Sequence, residues 1–162
     1  MKMDPLSQWI FGLSSGPLTL VSSLLDNEYI FAILLVLVVM LVEKKNNRRW
    51  KILTALALAV VVGFALKEIY HVERPCTGQL ENAKIIETSC SGYSFPSLHT
   101  ILVFTLATAF IRKKDYIWIL LFALFVAFTR IYLGVHRFED IAASAAIAPL
   151  IYLFIDSWWK NG

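Results

Sequence analysis

The expected fold is all-α: a polytopic membrane helix bundle, five transmembrane helices plus an N-terminal interfacial or re-entrant segment. Three observations point to it. The 162-residue chain is 58% hydrophobic and only 17% charged, whereas soluble domains run nearer a quarter charged. Its mean hydropathy is +0.66. Its apolar residues gather in five stretches, 29–42, 52–66, 98–111, 116–131 and 141–155, which lack the polar face of a soluble amphipathic helix. No segment leaves room for a soluble domain, so residues 1–162 are expected to form a single membrane-embedded domain.

Each element follows in order. Residues 6–25 are apolar but broken by Gly12, Ser14, Ser15, Gly16, Pro17, Ser22 and Ser23. That pattern fits an interfacial or re-entrant segment better than a sixth span. Asp4 and Pro5 interrupt what would be the n-region of a signal peptide. Several of the five stretches are shorter than the ~20 residues a spanning helix needs. Snorkelling or site residues lengthen them at 43–45, 67–71 and 158–160. Trp50, Tyr116, Trp158 and Trp159 fall where interfacial anchors belong.

Five spans sort the basic residues onto two sides. Lys44, Lys45, Arg48, Arg49, Lys51, Arg112, Lys113, Lys114 and Lys160 share one; Lys2, Lys67, Arg74, Lys84, Arg130 and Arg137 share the other. The first side is cytoplasmic by the positive-inside rule. The second is therefore extracytoplasmic, in a multi-pass protein of the cell membrane. The net charge of +3 is modest, and no basic stripe with interleaved aromatics points to nucleic acid.

Polar residues stand where spans 52–66, 98–111, 116–131 and 141–155 meet that second side. Lys67 and Arg74 lie in KEIYHVERP, Ser97 and His99 in FPSLH, and Arg130, His136 and Asp140 in TRIYLGVHRFED. Ionisable groups at a bilayer edge are costly and mark function by default. Three cations, two imidazoles and a carboxylate suit a pocket that binds an anion and moves protons. Pro96 suits a first helical turn, and the free N–H groups of the helix that follows favour an anion there. His99, within that turn, is placed as a neutral nucleophile. Lys67 and Arg74 are seven residues apart, about two turns, although Pro75 biases Arg74 away from helix. His136 and Asp140 share a helical face at i, i+4. The carboxylate would fix the ring's tautomer and raise the basicity of its far nitrogen. Gly134 permits a tight turn between Arg130 and His136.

These three clusters, K67-x6-R74-P75, P96-S97-L98-H99 and T129-R130-x5-H136-x3-D140, resemble the signature motifs of the type 2 phosphatidic acid phosphatase superfamily. The resemblance covers residues 67–140, in the expected order. It implies that His99 forms a phosphohistidine. His136 would protonate the leaving alkoxide and then activate water, with Asp140 orienting it. Lys67, Arg74, Ser97, Arg130 and the N–H of Leu98 would hold phosphoryl oxygens. Neither a metal nor another cofactor is implied. Two positions depart from the family pattern: Thr129 stands for Ser, and Leu98 for Gly. Leu98 keeps its N–H but crowds the pocket unless its side chain turns away.

Cys76 and Cys90 flank the external loop CTGQLENAKIIETSC. On an oxidising face they suggest a disulfide. Two free thiols, or a metal site with His71, are the alternatives, although the spacing fits no standard zinc pattern.

The expected activity is therefore hydrolysis of a lipid phosphate or diphosphate from the external leaflet. An isoprenoid diphosphate such as undecaprenyl or dolichyl diphosphate is favoured. Phosphatidic acid and phosphatidylglycerophosphate are alternatives, as is non-catalytic phospholipid binding or transport. The expected partners are the lipid substrate and membrane lipids, with no obligate protein partner.

Overall fold

A computed structural model describes residues 3–77 and 90–161. Lys2 and Lys84 of the charge argument, and residues 78–89 between the cysteines, lie outside the described residues. Among the described residues seven helices form: α1 (Pro5–Gly12), α2 (Gly16–Asp26), α3 (Glu28–Val42), α4 (Asn46–Tyr70), α5 (Leu98–Ala109), α6 (Tyr116–Tyr132) and α7 (Phe138–Asn161). Among the described residues there is no strand, only an isolated antiparallel bridge between Glu73 and Tyr93.

The sequence explains the helix starts. Asp4 caps α1 by accepting from the Ser7 N–H at 2.9 Å, with Pro5 opening the first turn. Asn27 caps α3 by accepting from the N–H groups of Tyr29 and Ile30 at 3.1 Å each. The expected single segment over residues 6–25 is two helices, α1 and α2, because residues 13–15 break it. α2 then meets α3 at 82° across Asn27.

Two helices are long and apolar enough to cross a membrane, Asn46–Tyr70 and Phe138–Lys160; the bent α2–α3 pair makes a third candidate. α4 and α7 exceed the expected stretches because polar end residues continue the helix past the apolar run. α5 and α6, at 12 and 17 residues, are shorter apolar helices. Length and composition alone therefore support two or three spans.

Packing places α5 inside. It contacts α4, α6 and α7, and Ile101, Val103 and Leu106 are fully buried. A helix apolar all round belongs in such a position. Its threonines have partners: Thr100 donates to Ser97 Oγ and Thr108 to Phe104 O nearby in the chain, and Thr105 donates across to Ala148 O on α7. The outward faces carry exposed apolar side chains, including Val61, Phe64 and Ile69 on α4 and Leu150, Leu153 and Phe154 on α7. So much exposed apolar surface suits lipid rather than water.

At the end of the bundle away from Lys67 and His99, Glu43 is nearly fully buried. Its carboxylate faces Arg48 at 3.1 Å and Lys113 at 3.7 Å. This ties the α3–α4 turn to the α5–α6 turn.

Candidate active site

A cavity of about 550 Å³ opens at the other end, where α4, α6 and the starts of α3 and α5 converge. Lys67, Arg74, Leu98, His99, Arg130 and His136 all line it. These residues come from three separate parts of the chain, 67–74, 98–99 and 130–136. Ser97 and Asp140, also expected at the site, stand behind the lining rather than in it.

Lys67 occupies the last turn of α4 and is buried; its ammonium donates to the carbonyl of Tyr93. α4 then stops. His71 caps it in the left-handed region at φ 48°. The expected helical alignment of Lys67 with Arg74 therefore does not occur, and Arg74 enters the cavity from the following loop. Burial draws the Arg74 guanidinium below its ordinary pKa, against the opposing pull of Asp26, Glu28 and Asp140.

That loop is held in place. The Glu73–Tyr93 bridge, the Ser94 N–H bond to Val72 O and the Cys76–Cys90 disulfide join residues 72–77 to residues 90–94. Of the alternatives for the two cysteines, this structure has the bridge. Among the described residues no cluster of three or more His, Cys, Asp or Glu is arranged to hold a metal.

The second motif differs from expectation at Pro96. Ser97 is the N-cap, with an extended backbone, and α5 begins at Leu98. Pro96 thus precedes the cap instead of opening the first turn, and the Phe95–Pro96 peptide is cis. Ser97 is fully buried. Its hydroxyl accepts from Thr100 at 3.0 Å and its N–H donates to Ser144 Oγ at 2.8 Å. Leu98 has room because α4 supplies Gly63 opposite it: a Cβ there would lie 2.7 Å from Leu98 Cδ1. The isobutyl group packs toward α4, which leaves the backbone N–H at the helix start. The His99 ring packs against Phe31, with centroids 4.4 Å apart and the planes tilted by 44°. Its Nε2 is buried and has no hydrogen-bond partner.

The third motif turns at Gly134, whose φ of 77° suits glycine. The Phe11 ring covers it so closely that a Cβ would meet Phe11 at 2.7 Å. His136 is nearly fully buried beyond this turn. Its Nδ1 lies 3.5 Å from Asp140 Oδ2, close to the expected i, i+4 pairing. The same carboxylate oxygen accepts from Ser94 Oγ at 2.5 Å and from the Arg137 N–H at 2.9 Å. Burial lowers the His136 pKa to about 4, although the Asp140 hydrogen bond pulls it upward. Burial thus favours the neutral ring.

Arg130, in the last turn of α6, is 1% exposed. Thr129, in place of serine, donates to Val126 O and accepts from Arg130 Nε at 3.4 Å. Asp26 Oδ1 lies 2.5 Å from Arg130 Nη1.

Several of these contacts escape sequence reasoning. Asp26 reads as an ordinary acidic helix end, and Ser94 sits in a serine-rich loop with no motif. Gly63 lies unmarked within an apolar run. Only the asparagine after Asp26, a natural N-cap, hints at the elbow that brings it inward.

The same residues group this chain with known proteins. The PAP2 superfamily model matches residues 48–161. The bacitracin transport permease protein BcrC of Bacillus licheniformis is 32% identical over 120 residues, 71% of this chain. The chain spans 58% of that relative's own length. The crystal structure of LpxE from Aquifex aeolicus superposes with a TM-score of 0.75 at 22% identity, covering 94% of this chain and 93% of that one. A transmembrane PAP2-type phosphatidylglycerolphosphate phosphatase from Bacillus subtilis gives 0.71 at 20% identity, covering 96% and 83%. At such identities the two structures speak for the fold. The family match takes in all three polar clusters that meet at the cavity, and the chain belongs to the PAP2 superfamily.

Proposed function

We propose that this chain is a metal-independent lipid phosphate phosphatase, a single membrane-embedded domain of five spans over residues 1–162. Its site faces the extracytoplasmic side. The observation that carries this reading is the meeting of two imidazoles, His99 and His136, with three cations around one cavity.

In the first half-reaction, the Nε2 lone pair of His99 attacks phosphorus and the bond to the leaving oxygen breaks. His136 gives that oxygen a proton. The dianionic substrate favours the imidazolium form that this step needs, and Asp140 stabilises it. In the second, water attacks the phosphohistidine and passes its proton to His136. The N–P bond breaks and phosphate leaves. Lys67, Arg74, Arg130 and the Leu98 N–H offset the charge on the transferring group. Ser97 contributes through its place at the helix cap.

An isoprenoid diphosphate is the favoured substrate, since a small protein without a headgroup domain suits a lipid arriving laterally. Phosphatidic acid and phosphatidylglycerophosphate are the alternatives. A second reading is non-catalytic phospholipid binding or transport; the Bacillus licheniformis relative is named a bacitracin transport permease. The buried Ser94–Asp140–His136 network favours catalysis, because binding alone needs no oriented imidazole.

Phosphate release from a panel of lipid phosphates, added outside sealed right-side-out vesicles, tests the proposal. Release should occur in EDTA and be inhibited competitively by vanadate. Release only after the vesicles are opened would reverse the orientation. Binding without release would favour transport.

A further inference from the structure

The cavity lining carries three carboxylates, Asp26, Glu28 and Glu68, beside its three cations. Asp26 is paired with one of these cations: its Oδ1 lies 2.5 Å from Arg130 Nη1. The two side chains are 13% and 1% exposed. The rest of the guanidinium has weaker partners, Ser22 O at 3.3 Å from Nη2 and Thr129 Oγ1 at 3.4 Å from Nε. The shortest bond made by Arg130 is thus to a carboxylate that itself faces the cavity.

A carboxylate and a phosphoryl group offer the same thing to guanidinium, anionic oxygens for a planar fork of donors. Both near one buried cation repel each other. Asp26 is the last residue of α2, at the 82° break before α3. Phe31, early in α3, packs against His99.

We propose that Asp26 is a specificity-determining residue: an internal counter-ion that pairs with Arg130, competes with the incoming phosphoryl group and sets the pocket's affinity for anions. The proposal rests on the reading that Arg130 binds phosphoryl oxygens. If Asp26 instead served only to position Arg130, its removal would weaken anion binding. Competition predicts the opposite sign.

The test is calorimetric titration of the purified full-length chain in detergent with inorganic phosphate. Asp26→Asn keeps the shape and one acceptor for Arg130 but removes the charge. Phosphate should bind at least about tenfold tighter than to wild type. Asp26→Ser, also uncharged, should move the same way and serves if the Asn variant does not fold. Glu68→Gln is the control. Glu68 lines the cavity but is 72% exposed and has no ion pair with Arg130, so its gain should be much smaller. Unchanged or weaker binding in the Asp26 variants, or an equal gain in Glu68→Gln, overturns the proposal and leaves the role of Arg130 intact. Failure of wild type to bind phosphate at all overturns the site reading itself, and this proposal with it.

Discussion

Replacing Asp140 with asparagine removes a charge without changing shape. The Asp140 carboxylate receives the hydroxyl of Ser94 and the N–H of Arg137, and faces His136 Nδ1 at 3.5 Å. All of this is buried, so water cannot step in. At that separation, with an effective permittivity of about 20, the attraction between carboxylate and imidazolium is roughly 4–5 kcal/mol. The imidazolium is the form that gives a proton in the first half-reaction and is regenerated in the second, so the loss falls chiefly on turnover. Part of it is recovered because the asparagine oxygen can still accept from Nδ1–H. A fall in kcat of about 10²- to 10³-fold is therefore expected. KM should change little, because Asp140 stands behind the cavity lining. The assay is steady-state phosphate release in detergent micelles, with a thermal melt to verify folding. A folded variant that keeps half its kcat, or one whose KM rises while kcat holds, would refute the role of the carboxylate as orienter of His136.

Two further outcomes follow from packing and protonation. Gly63→Leu forces atoms into the place of Leu98 Cδ1, 2.7 Å from where a Cβ would stand, and should cost about 1–3 kcal/mol of stability. Leu98→Ala in the same chain should recover part of it, and strictly additive melting shifts would contradict the contact. Burial holds His136 near pKa 4 in the folded state, against 6.5 for the free group. Between those values the unfolded chain binds the proton and the folded chain does not. The stabilisation is complete above about pH 6.5 and is lost as pH falls toward 4, by up to about 1.4 kcal/mol per pH unit. Melting temperatures of wild type and His136→Gln should diverge in that window, and parallel curves would count against a buried neutral ring.

The site was more legible in the sequence than the membrane topology. His99, His136 and Arg130 announce themselves because polar residues at the ends of apolar runs are expensive, and their spacing carries chemical meaning. The i, i+4 pairing of His136 and Asp140 is local, so a helix rule nearly captures it. Arg74 was placed for the wrong local reason. α4 ends at Tyr70, and the bridge and disulfide beyond it, rather than helical periodicity, bring Arg74 inward. Pro96 likewise lies before the cap because Ser97 takes the extended position. Contacts such as Asp26 with Arg130, Gly63 with Leu98 and Ser94 with Asp140 join residues 35 to 104 positions apart. No periodicity records such pairings. The span count was least legible, because hydropathy measures apolar content and α5 is apolar through burial among other helices.

The central claim is that His99 carries the phosphoryl group. The direct measurement is quenching of the enzyme in alkaline detergent during turnover of a labelled aryl phosphate, followed by assay of acid-labile, base-stable label on the denatured chain. An aryl leaving group needs little protonation, so His136→Ala should still form the intermediate but hydrolyse it slowly and accumulate label. Wild type should carry a smaller amount, and His99→Ala none. Label retained in His99→Ala would contradict the assignment. Absence of label from both wild type and His136→Ala would mean that water attacks phosphorus directly.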